Sequence, residues 1–201
     1  MRTTVHLLRH GEVHNPAQVL YGRLEGYRLS ERGQRMAARV ADDLSRGDVV
    51  AVVASPLQRA QETAAPLARM LGVEVGTDPR LIESANVFEG LTIGTGGGSL
   101  RKPVHWRHLW NPFRPSWGEP YEEIATRMLA AVADARDAAR GHEIVCVSHQ
   151  LPIWTARNAA VGRRTWHDPR RRECALASLT SFRFDDDRLV GVGYREPAAG
   201  V

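Results

Sequence analysis

Apolar positions along the chain follow two periods, one typical of buried strands and the other of amphipathic helices. Short apolar runs occur at Val5 to Leu8, Val49 to Val53 and Ile144 to Val147, and runs of this length favour strands buried on both faces. Between them, apolar residues recur at every fourth position, as from Met36 to Leu44. This spacing predicts helices that bury one face.

Capping residues set the predicted ends of these elements. Ser30 is a candidate N-cap for a helix that ends at Gly47, and Ser55 is a candidate N-cap for the next, with Pro56 at its first position and Gln58 at the capping-box position. The remaining predicted boundaries, in chain order, are a helix end at Gly72, a weak strand from Val73 to Val75, a helix from about Tyr121 to Arg140 that ends at Gly141, a helix from Pro152 to about Val161 that ends at Gly162, and a hairpin of Leu176 to Phe184 and Leu189 to Tyr194.

Strands that alternate with helices predict an α/β fold. We expect a three-layer sandwich in which a mostly parallel sheet has helices on both faces and right-handed crossovers. The stretch of about 84–120 breaks the alternation with a glycine cluster, three tryptophans and four prolines. We interpret residues 1–201 as a single domain with a small irregular or helical cap insertion at about 84–120.

The charge balance is positive without indicating nucleic acid. The net charge is +4, Lys102 is the only lysine, and most arginines lie on predicted helices that also carry Glu and Asp. The one dense block holds Arg163 and Arg164 with Arg170 to Arg172. A solvated surface or a patch for an acidic partner is the favoured interpretation of this block.

Composition favours a soluble protein of the cytoplasm. Hydrophobic residues make up 43% and charged residues 25% of the chain, as in globular proteins. We find no apolar stretch long enough to span a membrane and no signal-peptide core at the N-terminus. Cys146 and Cys174 lack metal-ligand spacing and are interpreted as free thiols. The sequence does not indicate an oligomeric state.

Basic and imidazole side chains follow the predicted core strands. Arg9 and His10 end the first strand, Arg59 follows the second after a short turn, and His149 follows the strand that ends at Val147. Ligands of open α/β sheets bind at the carboxyl ends of the strands, and a buried Arg requires an anionic partner. The conjunction predicts a phosphate site built from two histidines and two arginines.

These residue types suit phosphoryl transfer. A neutral histidine is a nucleophile toward phosphorus, while arginine forks and helix N-terminal amides stabilise the charged phosphoryl oxygens. Expulsion of an alkoxide also requires a proton, which a carboxylic acid with a raised pKa can supply. Glu83, where the core leads into the irregular stretch, is the candidate donor.

Three segments resemble the histidine phosphatase superfamily, in its phosphoglycerate mutase-like branch: Leu8-Arg9-His10-Gly11-Glu12, Ser55-Pro56-Leu57-Gln58-Arg59-Ala60 with Thr63-Ala64, and Val147-Ser148-His149. The resemblance spans roughly residues 3 to 161. It implies that His10 is the phosphorylated nucleophile, that Arg9, Arg59 and His149 complete the phosphate pocket, that Glu83 donates the proton, and that Asn15 and Gly22 line the substrate pocket.

The chain departs from the family pattern at three places. Asn15 lies one residue closer to the nucleophile than the commonest spacing, and the segment from Glu83 to Gly90 is one residue short and lacks an internal glycine. Gln150 stands where glycine is usual after the second histidine. We expect Gln150 to crowd the substrate or to hydrogen-bond to it.

The favoured function is a metal-independent phosphatase that acts on a small phosphate ester through phosphohistidine, without a cofactor. A mutase of the phosphoglycerate type and a catalytically silent protein that binds a phosphorylated ligand are the alternatives. Turnover of p-nitrophenyl phosphate in EDTA separates the phosphatase from the silent protein.

His105 and His108 have helical spacing, but no carboxylate or cysteine completes a metal site around them. The basic, aromatic cap favours a substrate with extra negative charge or a flat apolar part.

Overall fold

Strands and helices alternate along the chain in a computed structural model that describes residues 1–92 and 118–201. The strands are β1 (Arg2–Arg9), β2 (Val49–Ala54), β3 (Val75–Thr77), β4 (Glu143–Ser148), β5 (Leu179–Asp185) and β6 (Arg188–Arg195). The α-helices are α1 (Glu31–Leu44), α2 (Gln58–Leu71), α3 (Tyr121–Ala138) and α4 (Gln150–Ala160). Short 3₁₀ turns occur at Pro79–Leu81 and Pro169–Arg171.

Within the described ranges, the six strands form one sheet in the order β3-β2-β4-β1-β5-β6. The first four strands of this order are parallel, whereas β5 and β6 form the predicted hairpin, which pairs antiparallel with β1. Because β4 inserts between β1 and β2, the carboxyl ends of three parallel strands are neighbours. The prediction of a mostly parallel α/β sheet is therefore confirmed.

A hydrophobic core lies on each face of the sheet. Leu7 and Ile144 pack in the cluster that includes α3 and α4, while Leu8 and Val145 pack in the cluster with α1 and α2. Successive strand residues point to opposite faces, so an unbroken apolar run supplies both cores at once. This arrangement confirms the three-layer sandwich.

Most predicted boundaries hold to within two residues, but two assignments were wrong in detail. Ser55 does not cap α2, because the helix begins at Gln58 with Leu57 at its N-cap and no side-chain hydrogen bond there. The weak strand predicted from Val73 to Val75 lies at Val75–Thr77 instead. The Ser30 cap is confirmed, since its hydroxyl accepts from the amide of Gly33 at 3.0 Å.

The structure confirms some of the other sequence predictions and leaves others untested. Both cysteines are buried free thiols, and no helix in residues 1–92 and 118–201 is long and apolar enough to cross a membrane. The cap insertion, with its glycines, tryptophans, His105 and His108, falls largely outside the described residues. The single-domain organisation stays a prediction.

Candidate active site

Two histidines end adjacent parallel strands and face one another. His10 follows β1 and His149 follows β4, and the ladder continues past both strand ends, because the amide of His10 donates to the carbonyl of Ser148 at 3.1 Å. Their ring centroids lie 5.1 Å apart with an interplanar angle of 56°. Both residues are buried, with exposed fractions of 2% and 0%. The strand pairing alone therefore brings together two side chains separated by 139 positions.

The hydrogen bonds of His10 define which ring nitrogen is free. Its Nδ1 lies 2.8 Å from the carbonyl oxygen of Gly11, and a carbonyl can only accept, so Nδ1 carries the proton. The Nε2 lone pair is then unprotonated. Burial, followed by the charges of Arg59 and Arg9, holds the pKa of His10 well below its usual range. The ring is neutral at physiological pH and presents a nucleophilic nitrogen.

His149 adopts the opposite tautomer. Its Nδ1 lies 3.3 Å from Nη2 of Arg59, which can only donate, so Nδ1 accepts and the proton lies on Nε2. The Nε2–H donates to the hydroxyl of Ser55 at 2.8 Å. Burial, followed by the neighbouring His10 and Arg59, lowers the pKa of His149 well below its usual range. Ser55, predicted as a helix cap, is thus a partner of the second histidine.

Arg59 is a buried guanidinium without a carboxylate partner in the part of the chain that the structure describes. It is 1% exposed, its Nη2 donates to the carbonyl of Gly22 at 2.6 Å, and its Nε has no hydrogen-bond partner there. Its Cζ lies 4.8 Å from the centroid of the Tyr21 ring. Burial lowers the pKa of Arg59. A desolvated cation with unused donors is a strong attractor for an anion.

Arg9 supplies a second guanidinium at the end of β1. Its Nη1 donates to the carbonyl of Cys174 at 2.6 Å, and its Nε is buried without a partner among residues 1–92 and 118–201. No described carboxylate forms an ion pair with Arg9 or Arg59. Arg9 lines the same cavity as His10, and Arg59 contacts His149, whose ring faces His10. Both guanidinium groups keep a donor for a phosphoryl group.

Thr63 connects the loop after β1, which begins at His10, to α2. Its hydroxyl donates to the carbonyl of Arg59 at 2.7 Å and accepts from the amide of Gly11 at 3.1 Å. The backbone on which Arg59 is mounted is therefore tied to the loop that carries His10. This link positions the Arg59 guanidinium relative to the His10 ring.

Glu83 lies on the pocket wall after the 3₁₀ turn Pro79–Leu81. Its Oε1 accepts from the backbone amide of Ser84 at 2.8 Å. Burial raises the pKa of Glu83, although the Ser84 hydrogen bond and the charges of Arg59, Arg9 and Arg172 oppose the rise. A carboxyl with a raised pKa at this position suits a proton donor.

A cavity of about 330 Å³ opens at this edge of the sheet. Its wall combines the end of β1, the loop after it, the Glu83 segment and residues from α3, α4 and the loop before β5. The lining residues are Arg9, His10, Val19, Leu20, Tyr21, Gly22, Glu83, Ser84, Ala85, Asn86, Gly118, Glu119, Tyr121, Gln150, Leu151 and Arg172. A small phosphorylated molecule fits this volume.

Gly22 and Asn15 are the two loop residues predicted to line the substrate pocket, and the structure gives them different surroundings. Gly22 lines the cavity with a φ of +38°, and a Cβ there would collide with the carboxylate of Glu89. Asn15 uses its side-chain amide within the loop, donating to the carbonyl of Val19 at 2.8 Å and accepting from its amide at 3.0 Å. The role of Asn15 toward the substrate stays a prediction.

Sequence reasoning missed several pocket residues. Tyr121 and Arg172 line the cavity, and Arg172 lies partly buried, whereas Arg163, Arg164, Arg170 and Arg171 are exposed. The interpretation of the arginine block as a solvated surface was therefore wrong for Arg172, while the alternative of a patch for an acidic partner stays a prediction. No local signal separates Arg172 from its neighbours, since only the course of the loop turns it inward.

Comparisons with known proteins agree with this geometry. The family model of the histidine phosphatase superfamily (branch 1) matches residues 5–196. The uncharacterised protein Rv0525 of Mycobacterium tuberculosis is 62% identical over 197 residues, which cover 98% of each chain. The probable phosphoglycerate mutase GpmB of Photorhabdus laumondii is 28% identical over 98% of this chain and 92% of its own.

Solved structures show the same fold. The mycobacterial glucosyl-3-phosphoglycerate phosphatase Rv2419c superimposes with a TM-score of 0.73 at 26% identity, over 97% of each chain. The match of the family model extends from β1, with its Arg9-His10 pair, to the final strand of the sheet. With the family model covering nearly the whole chain, the protein belongs to branch 1 of the histidine phosphatase superfamily.

Proposed function

We propose that the protein is a metal-independent phosphomonoesterase that hydrolyses a small phosphorylated metabolite through a phosphohistidine on His10. The observation that carries the proposal is the neutral His10 ring on the cavity wall. Arg9 lines the same cavity, Arg59 contacts the facing His149, and neither guanidinium forms an ion pair with a carboxylate among the described residues. A nucleophile and a preformed cradle for phosphoryl oxygens are the two requirements of this chemistry.

In the first step, Nε2 of His10 attacks phosphorus while the bond to the leaving oxygen breaks. The N–P bond makes the ring cationic, and the Nδ1–H bond to the carbonyl of Gly11 stabilises that charge. Arg9 and Arg59 neutralise the phosphoryl oxygens. Glu83 in its acid form gives its proton to the departing alkoxide, which leaves as an alcohol.

In the second step, water attacks phosphorus and the N–P bond breaks. The Glu83 carboxylate takes a proton from that water, so that inorganic phosphate, a neutral His10 and a protonated Glu83 are produced. The Ser55 hydroxyl can either accept from or donate to Nε2 of His149. His149 can therefore carry its proton on Nδ1 when a phosphoryl oxygen replaces the Arg59 contact.

Turnover of p-nitrophenyl phosphate in EDTA, with wild-type protein and the His10→Ala variant, tests the proposal. We expect wild-type hydrolysis, a loss of several orders of magnitude in His10→Ala, and an acid-labile, base-stable phosphoprotein trapped from the wild type alone. The His14→Ala variant is the matched control, since His14 is exposed in the same loop. Substantial activity in His10→Ala, or tight phosphate binding without turnover by the wild type, would sink the proposal.

A mutase is the second candidate, because GpmB relatives are named probable phosphoglycerate mutases. Both functions pass through the same phosphohistidine, and they differ in whether water or a second hydroxyl accepts the phosphoryl group. Incubation with 3-phosphoglycerate distinguishes them. We expect release of inorganic phosphate, whereas formation of 2-phosphoglycerate in excess over phosphate would assign the mutase.

A further inference from the structure

Arg172 is a third guanidinium on the cavity wall. Its charge acts on the Glu83 carboxyl of the same cavity but forms no ion pair with it. It lies partly buried, lines the same cavity as Arg9, and forms no ion pair with a carboxylate of residues 1–92 and 118–201. The sequence of 93–117 contains neither Asp nor Glu, so that stretch cannot supply a carboxylate either. Partial burial of an arginine without a counter-ion costs free energy, and binding of an anionic ligand would reduce that cost.

The neighbours of Arg172 hold it in place without cancelling its charge. Its Nε donates to Nε2 of His167 at 2.7 Å, and Nδ1 of His167 donates to the carbonyl of Thr165 at 2.6 Å. His167 is therefore neutral, and burial lowers its pKa. Its ring packs against Tyr121 and Trp154, with centroids 5.7 and 5.8 Å away. This packing fixes the imidazole that orients the guanidinium.

Gln150 supports the guanidinium from the other side. Nη1 of Arg172 donates to Oε1 of Gln150 at 3.4 Å, and Nε2 of Gln150 donates to the carbonyl of Cys174 at 3.5 Å. The same carbonyl accepts from Arg9. Nη2 of Arg172 has no hydrogen-bond partner among the described residues, so donors remain for a ligand.

The charge balance of the pocket leaves one cation unused by the reaction. Arg9 and Arg59 together match the two negative charges of a phosphate monoester, and Glu83 enters the reaction as a neutral acid. Arg59 bonds to His149 and Gly22, whereas Arg172 bonds to His167 and Gln150, so different residues hold the two guanidinium groups. Arg172 lines the cavity, and Arg59 is not among its lining residues. The positive charge of Arg172 therefore serves a different part of the substrate.

We propose that Arg172, oriented by His167 and Gln150, binds a second anionic group of the substrate, so that the natural substrate is a phosphomonoester that also carries a carboxylate or a second phosphate. The inference rests on the proposed function and adds a substrate class to it. Gln150, which stands where glycine is usual, acts as a positioning residue for the fork.

A matched pair of esters tests the subsite directly. 3-Phosphoglycerate and glycerol 3-phosphate share the phosphate, chain length and central hydroxyl, and they differ in a carboxylate against a hydroxymethyl group. We expect wild-type protein to prefer 3-phosphoglycerate in kcat/KM by about tenfold or more, the scale of one charge-assisted hydrogen-bonded pair. A second pair, 1,3-propanediol bisphosphate and 3-hydroxypropyl phosphate, tests in the same way whether a second phosphate raises kcat/KM. Comparison of the two pairs shows which anionic group the subsite prefers.

Removal of the Arg172 guanidinium should abolish the preference for the ester with a second anionic group. In Arg172→Gln, KM for the charged ester should rise about tenfold or more while glycerol 3-phosphate changes less than threefold. Arg172→Lys, which keeps the charge but not the fork, should retain part of the preference. Arg171→Gln removes an exposed charge one position away and is the matched control.

The possible results separate this inference from the proposed function. Equal losses on both esters in Arg172→Gln, or no wild-type preference for either anion, would overturn the subsite while leaving hydrolysis intact. If the wild type hydrolyses no ester, the proposed function fails. Affinities of the same esters for the turnover-free His10→Ala protein and its Arg172→Gln derivative then still decide the subsite, because a lost preference supports it and an unchanged one refutes it.

Discussion

Arg59 is the side chain whose burial is hardest to explain without a ligand. Its charge is desolvated, and its contacts are the neutral Gly22 carbonyl, the His149 ring and the Tyr21 face. A fold under no other demand would replace such a group with an apolar one. These contacts offset part of the cost of burying the charge, and an anion in the site would offset more of it.

Arg59→Ala should therefore reduce activity without unfolding the protein. The loss of one preorganised fork should cost roughly 3 kcal/mol of transition-state stabilisation, about a hundredfold in kcat/KM. The melting temperature in phosphate-free buffer should hold or rise, because an unpaired buried charge is removed. Arg69→Ala, on the exposed face of the same helix, is the control. Near-normal turnover in Arg59→Ala would make Arg59 a structural residue.

Glu83→Gln tests the proton donor through the leaving group. An alkyl phosphate needs a proton on its departing oxygen, whereas p-nitrophenyl phosphate needs little assistance. The variant should slow the hydrolysis of alkyl phosphates far more than that of the aryl ester. The ratio of kcat for an alkyl phosphate to kcat for p-nitrophenyl phosphate measures the difference. Glu122→Gln, an exposed carboxylate on α3, should change neither.

The pH profile gives the same test a second readout. Because burial raises the pKa of Glu83 above its ordinary 4.5, its acid form persists to higher pH, and activity on alkyl esters should fall as pH rises through that pKa. Glu83→Gln should lose this limb. Equal losses on both ester classes would remove Glu83 from the role. Glu12 is a poor substitute, since bonds from Ser30 and Arg32 lower its pKa.

At the scale of elements, the first turn of α1 packs on the backbone of the loop after β1, which begins at His10. The Glu12 carboxylate accepts from the Ser30 hydroxyl at 2.7 Å, and a Cβ on Gly33 would collide with the Glu12 carbonyl oxygen. The close approach of helix and loop backbones requires glycine at position 33. The helix end thereby supports the loop that carries His10.

Gly33→Ala should lower the free energy of unfolding, although alanine in place of glycine inside a helix usually raises it. Alanine inside a helix ordinarily stabilises it by about 1 kcal/mol relative to glycine, but here the methyl group has no space and should cost about 2 kcal/mol. Denaturant unfolding measures the difference. Arg35→Ala, on the exposed face of α1, should change the free energy of unfolding by less than about 0.5 kcal/mol. A stabilised Gly33→Ala protein would contradict the packing.

At the scale of the whole molecule, two buried neutral histidines link folding to pH. The pKa values of His10 and His149 lie well below that of an unfolded histidine, near 6.5. As pH falls below about 6.5, the unfolded chain therefore binds protons that the folded chain excludes. The stabilisation is complete above that pH and is lost as pH falls through the folded pKa values.

The melting temperature in phosphate-free buffer should accordingly fall from pH 7.5 to pH 5.5. His149→Asn should flatten this slope, although part of it should remain because burial also lowers the pKa values of His10 and His6. The exposed His142 serves as control in a His142→Asn variant. A slope unchanged in His149→Asn would show that His149 is not held neutral by the fold.

Local pattern was sufficient to predict much of the fold and to select the residues of the candidate site. The apolar runs predicted β1, β2 and β4, because residues that face two cores must be apolar at successive positions. The Ser30 cap and the Gly72 helix end follow from side-chain and backbone chemistry within a few residues. The position of Arg9, His10, Arg59 and His149 at one edge follows from the direction of parallel strands.

The tertiary structure decided what depends on contacts between distant segments. The insertion of β4 between β1 and β2 sets the 5.1 Å approach of the two histidines, and no local pattern encodes strand order. Ser55 resembles a helix cap in sequence but bonds to His149, because β2 and β4 are neighbours. Arg172 resembles its exposed neighbours yet lines the cavity, since His167 and Gln150 offer it partners only in the folded chain.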